Sequence, residues 1–280
     1  MRRSLISALA ISAISLALVD SPESFASHAW GGYHWARQSD PFTVKLGDNL
    51  SSGWKTYLQT ASTDWSAHYS PWLTDLLTAV VPGQANNRQC RPTSGEVQVC
   101  NATYGNNGWL GIAQIWLSGA HITQGSVKLN DTYFNTVTYD TSAWRRLVTC
   151  QEVGHTFGLD HQNTNFSDQN LGTCMDYTND PGGTLYGELS NEHPNSHDYE
   201  ELSIIYTHFD STTTVATAPA TQPMPPGLAQ LDFDAPRQWG RLVRSTNNGR
   251  TEVYERDLGG GYKVSTFVVW ADDDPRHRLQ

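Results

Sequence analysis

Charge is scarce in this 280-residue chain: Asp, Glu, Lys and Arg make up 16% of it, and the basic side is the poorer, with 18 Lys and Arg against 28 Asp and Glu. The formal net charge of −10 excludes a nucleic-acid backbone as partner, because phosphate binding calls for basic patches. It suits an exported protein whose copies repel one another. Beyond residue 19 no run is apolar enough to cross a membrane. No Cys-x-x-Cys pair occurs among the 4 cysteines, which argues against thiolate metal ligation. Internal repeats are absent. Tryptophan is plentiful, with 10 residues, and favours aromatic packing in a core or in apolar subsites. The length suffices for one substantial domain and a smaller appendage.

The first residues carry an address. Arg2 and Arg3 form a charged n-region, Leu5 to Val19 is an apolar run too short to span a bilayer comfortably, and Ser24-Phe25-Ala26 offers a small-x-small cleavage site. Residues 1–26 therefore read as a signal peptide, and the mature protein is expected to be secreted and extracellular, away from the membrane. Export makes the four cysteines a disulfide question with three pairings. Cys90 and Cys100 bracket a short loop containing Pro92 and Gly95, which suits a local staple; that leaves Cys150 with Cys174.

Patterning predicts short strands at 33–36 and 42–46, then a helix capped by Ser51 and running to about Ala67, with Trp54, Leu58, Ala61 and Trp65 on one face. Residues 72–81 are ambiguous between helix and strand. Three strands follow at 96–102, 111–117 and 121–130. A second helix is expected from Asp140–Ser142 to Gly158, and a third from Ser196 to about Thr207, capped by Asn195 or Ser196. Thr, Ala and Pro dominate residues 210–229, which read as a linker between a main domain at 27–209 and a small β-rich unit at 230–280. That unit should hold three strands at 239–244, 251–256 and 262–270. Such a meander is marginal alone and should pack on the main domain or bind something.

The informative stretch is Cys150-Gln151-Glu152-Val153-Gly154-His155-Thr156-Phe157-Gly158-Leu159-Asp160-His161. On a helix, positions four apart lie about 40° apart, so Gln151 and His155 face one point, with Glu152 about 100° round. Gly158 permits a sharp turn that swings His161 back toward them. This arrangement offers imidazoles to hold a metal ion and a carboxylate to take a proton from water.

The stretch resembles the metzincin signature His-Glu-x-x-His-x-x-Gly-x-x-His, with Gln151 where the first histidine stands. Gly172 to Tyr177 resembles the family's Met-turn, and Ser196 to Leu202 with Tyr206 resembles the last helix of matrixin-like catalytic domains, so the resemblance covers about residues 30–208. It implies an α+β zincin fold, with a twisted mixed sheet, an active-site helix and a Met-turn, here followed by the small C-terminal β unit. It further implies His155 and His161 as zinc ligands, Glu152 as general base, Met175 beneath the metal site, and Tyr177, as in astacins and serralysins, as a stabiliser of the transition-state oxyanion. Gln151 either binds zinc through its amide oxygen, leaves the metal to His155, His161, Tyr177 and water, or leaves the site without metal. A Cys150–Cys174 bond would clamp the helix to the Met-turn behind the site.

By the same analogy the strand at 111–117 would be the sheet edge that pairs with an extended peptide or protein substrate. No pro-segment with a blocking cysteine is visible between Ala26 and Tyr33, so a cysteine-switch zymogen is not expected. Two functions remain: a secreted zinc-dependent endopeptidase, or a catalytically inactive metzincin fold used for binding or adhesion. His121, His193 and His197 are candidates for a second metal, and the oxygen-rich loop 160–170 for Ca2+, although it lacks EF-hand spacing.

Overall fold

A computed structural model describes residues 28–66, 75–84, 88–166, 168–185, 187–215, 233–246 and 251–271. Residues 1–26, expected as a signal peptide, and most of the expected linker at 210–229 lie outside them. The described residues form an α+β fold around one mixed sheet of nine strands, with four α-helices.

The first half sets one helix among six strands. Strand β1 (His34–Trp35) and β2 (Phe42–Asn49) precede helix α1 (Ser52–Trp65), after which come β3 (Leu76–Pro82), β4 (Glu96–Ala102), β5 (Trp109–Ser118) and β6 (His121–Asn130). The ambiguous segment thus resolves as a strand. Helix α1 is the crossover that lets β2 and β3 pair in parallel. Ser51 stands at the predicted N-cap but its side chain makes no capping bond; it accepts one from Asn101 Nδ2 at 3.1 Å. Trp54, Leu58 and Trp65 are buried on the predicted face, each stabilising the fold by on the order of 2 kcal/mol.

Short helix α2 (Asp131–Phe134) leads to α3 (Ser142–His155), and α4 spans Ser196–Ile205. Thr141 caps α3, accepting from Trp144 N at 3.2 Å. Asn195 caps α4 in a capping box with Asp198. Helices α1 and α3 pack on each other and on the sheet. Both expected disulfides form, Cys90–Cys100 and Cys150–Cys174.

The C-terminal strands β7 (Arg241–Thr246), β8 (Thr251–Gly259) and β9 (Tyr262–Trp270) form the expected meander, which packs on the rest of the chain by extending the main sheet. The strand order is β3-β2-β4-β6-β5-β9-β8-β7, with β1 paired to β6. Strand β9 runs antiparallel to β5 from Trp109↔Trp270 to Ser118↔Tyr262. This corrects the expectation that residues 111–117 form an open edge: β5 is interior, paired on both sides. The cause is apolar matching. Phe267, Val268, Val269 and Trp270 have no core of their own in a three-stranded meander, and they are buried when β9 docks on β5.

Candidate active site

Helix α3 delivers Gln151, Glu152 and His155 to the sheet's face, and all three are buried. Its last turn opens at Thr156, and Gly158 reverses the chain with φ +96°, a conformation that side chains disfavour. A Cβ at Gly158 would also meet the Tyr33 carbonyl oxygen at 2.0 Å, so this corner accepts glycine alone. His161 then swings back as predicted, and its Nε2 lies 3.1 Å from His155 Nε2.

The tautomers follow from the outer contacts. His155 Nδ1 lies 2.9 Å from the Leu159 carbonyl oxygen, so that nitrogen carries the hydrogen and Nε2 holds a lone pair toward His161. His161 Nδ1 faces Asp160 Oδ1 at 3.5 Å. Burial pushes both imidazoles below their ordinary values, keeping them neutral. Two nitrogen donors about 3.3 Å apart is the spacing that a tetrahedral zinc ion with bonds of about 2.0–2.1 Å imposes, so the pair fits such an ion.

Glu152 sits against β5. A Cβ on Gly111 would approach Glu152 Oε1 to 2.6 Å, so the glycine makes room for the carboxyl. Neither carboxyl oxygen has a hydrogen-bond partner among the described residues, and burial raises the group well above the usual carboxylate range. Met175 is buried, and a Cβ on Gly154 of α3 would meet its sulfur at 2.7 Å, so the thioether lies directly against the active-site helix. Asp198 of α4 steadies the Met-turn by accepting from Thr173 Oγ1 at 2.5 Å and from Gln162 Nε2 at 2.8 Å.

Gln151 is placed differently from a simple histidine replacement. Its amide nitrogen donates to the Cys174 carbonyl at 2.7 Å and to that of Asp176 at 3.5 Å, tying α3 to the Met-turn alongside the disulfide. Tyr177 packs edge-on to His161, with ring centroids 4.6 Å apart, and its hydroxyl donates to the Val268 carbonyl of β9 at 3.4 Å.

That bond is one of several by which the C-terminal strands close the site. Phe267 of β9 stacks flat on His155, with centroids 4.4 Å apart and planes 9° from parallel, and meets Trp30 edge-on at 5.6 Å. Arg244 of β7 grips both carboxylate oxygens of Asp160, the residue before His161, and lies 4.5 Å over the Trp30 ring. Burial opposes ionisation of Asp160, but its bonds to His161 and Arg244 outweigh that and hold it below its usual range. A cavity of ≈ 10 Å³, room for about one water, lies between Leu110, Trp144 and Gln151 and is lined also by Val269 and Trp270. Phe267 and Arg244 carried no signal in the local sequence, since their roles arise from strand pairing.

The other candidates scatter. His193 pairs with Asp64 at 2.7 Å and His197 lies 3.5 Å from Glu200, both outside any metal-type cluster among the described residues, whereas His121 lies beside a group described below. In the loop 160–170, Asp160 is taken by Arg244 and Asn163 donates to Asp168 at 2.6 Å.

No family model matches the sequence, and no curated protein matches it. Among solved structures the chain is similar to the crystal structure of myroilysin, at 12% identity, covering 65% of this chain and 96% of that one with a TM-score of 0.29. That likeness is weak and carries no statement about the site. No helix among the described residues is long and apolar enough to cross a membrane.

Proposed function

We propose that the protein is a secreted zinc-dependent endopeptidase held closed by its own C-terminal strands. The observation that carries this reading is the pairing of His155 and His161, with Nε2 atoms 3.1 Å apart, on the same buried face as a Glu152 carboxyl without a hydrogen-bond partner among the described residues. His155 and His161 would hold the ion, and a bound zinc supplies Lewis acidity to the scissile carbonyl and to water. A cation held beside the Glu152 carboxyl would favour its ionised form against the burial that raises it, and the carboxylate would then take the proton of the attacking water and pass it to the leaving amine. The Tyr177 hydroxyl, given to Val268 in the closed form, turns to the developing oxyanion once β9 withdraws. A substrate strand pairing with β5 needs the backbone groups that β9 now occupies, so closure and substrate binding exclude each other.

The second reading, a catalytically inactive binding module, is favoured by Gln151, whose amide nitrogen is engaged by the Met-turn carbonyls. One experiment separates them. The full chain, with a protease site engineered within residues 216–232, is loaded with zinc, nicked and assayed on casein beside its Glu152→Gln counterpart. Endopeptidase function predicts hydrolysis that Glu152→Gln reduces by at least about a thousandfold with zinc retained. Zinc binding by both proteins with hydrolysis by neither would establish the inactive module.

A further inference from the structure

A second cluster of ligand-type side chains lies away from the helix α3 site. After α4 the chain turns back along β1: Thr214 N donates to the Ala36 carbonyl at 2.9 Å, and Asp210 N to that of Arg37 at 2.8 Å. Arg37 N donates in return to Asp210 Oδ2 at 3.0 Å. This ladder carries His208 and Asp210 to His34, whose register partner on β6 is His121. Four side chains from three separate parts of the chain thereby converge. The Nε2 atoms of His121, His34 and His208 lie 3.1, 3.4 and 3.6 Å from one oxygen, Asp210 Oδ1. One ligand atom each of His34, His208 and Asp210 lies within 4.8 Å of the others.

Proton counting makes this grouping informative. His34 Nδ1 is 2.8 Å from the Gly32 carbonyl oxygen, which only accepts, so Nδ1 carries the hydrogen. In the neutral ring Nε2 then presents a lone pair to a carboxylate oxygen, and two acceptors face each other at 3.4 Å. A cation bound by His34, His208 and Asp210 removes the conflict at once. The three histidine distances to Asp210 Oδ1, 3.1–3.6 Å, bracket the roughly 3.3 Å that tetrahedral zinc enforces between donors. Imidazole donors select zinc over calcium or magnesium. The outer contacts are those that orient ligands: Gly32 fixes the His34 tautomer, and Arg37 N holds the second oxygen of Asp210.

We propose that His34, His208 and Asp210 form a structural zinc site, with His121, which meets the same Asp210 oxygen, as the side chain that would complete it. With His121 as fourth donor the coordination sphere is closed, so the site holds chain segments together and offers no position for substrate. What it holds is the root of the segment that leads toward the C-terminal strands, clipped to β1 and β6. It stands on residues separate from His155 and His161 and does not depend on the endopeptidase reading.

The test is zinc content of the full chain after incubation with zinc and desalting, in the parent and in a His121→Ala/His208→Ala variant. Both histidines are partly or largely exposed, so the fold, checked by circular dichroism, is expected to persist. The variant should lose one zinc equivalent per chain and the zinc-dependent rise in Tm that this equivalent brings. Identical zinc content and identical Tm response in the two proteins would overturn the site. If the double variant fails to fold, Asp210→Asn carries the test: zinc affinity of the corresponding equivalent, measured against a chromogenic chelator, should fall at least tenfold. An unchanged affinity would overturn the proposal equally.

Discussion

Replacing Phe267 with alanine should convert a closed protein into a measurably open one. Phe267 is fully buried, and its ring contacts His155 and Trp30 both lie on the body that β9 covers, so the burial it supplies is lost when β9 lifts. Phe-to-Ala truncations in cores cost about 3–5 kcal/mol. Taking about 3 kcal/mol, and a tenfold change for each 1.36 kcal/mol, the ratio of open to closed molecules rises roughly a hundredfold. While the closed form dominates, activity follows the open fraction. Casein or quenched-peptide hydrolysis by zinc-loaded full-length Phe267→Ala should therefore exceed the parent's by up to about two orders of magnitude, with a lower Tm. Equal or lower activity, in a variant whose circular dichroism and zinc content match the parent's, would refute closure by β9.

Further outcomes bear on the remaining contacts. Arg244→Ala should raise activity in the same direction but less, because the guanidinium is partly solvated; a fall in hydrolysis with normal zinc content would contradict a closing role for the Arg244–Asp160 grip. Gln151→His should tighten zinc binding about ten- to a hundredfold in chelator competition, a gain of one to a few kcal/mol, whereas unchanged affinity would exclude position 151 from the ligand set. Replacing both Cys150 and Cys174 with alanine opens a loop with a sequence separation of 24 and should cost about 3.5 kcal/mol by chain entropy, read as a lower denaturation midpoint.

Local rules carried the sequence reading furthest where the structure is local. Trp54, Leu58 and Trp65 announced the buried face of α1 through their spacing, Asn195 and Ser196 offered the cap of α4 that Asn195 takes, and Gly158 announced the corner that returns His161. The convergence of His155 and His161 followed from helical geometry and that one glycine. Ser51 marked the start of α1 correctly, yet its hydroxyl was drawn into a bond with Asn101, a partner that only the folded chain supplies. Strand partnership was not readable, because a period-two pattern says which face a strand buries and nothing about which edge it meets. The pairing of β5 with β9, and with it the covering of His155 by Phe267, was therefore invisible. The second histidine cluster left a fainter trace: His208 and Asp210 alternate, which in extended chain puts both on one side, but His34 and His121 join them only through the register of β1 and β6.

The position of β9 also sets an order of assembly. It pairs with a strand that lies on the order of 150 residues earlier, a contact of the long-range kind that slows folding. As the chain emerges from its amino end, β2 to β6 and α3 are available before the strand that covers β5 has been made. During that interval β5 shows a bare row of backbone donors and acceptors flanked by Leu110, Ile112 and Ile115, the kind of edge on which neighbouring chains pair. The arrival of β9 ends that exposure, and the one pairing that removes the association-prone edge is also the one that covers His155.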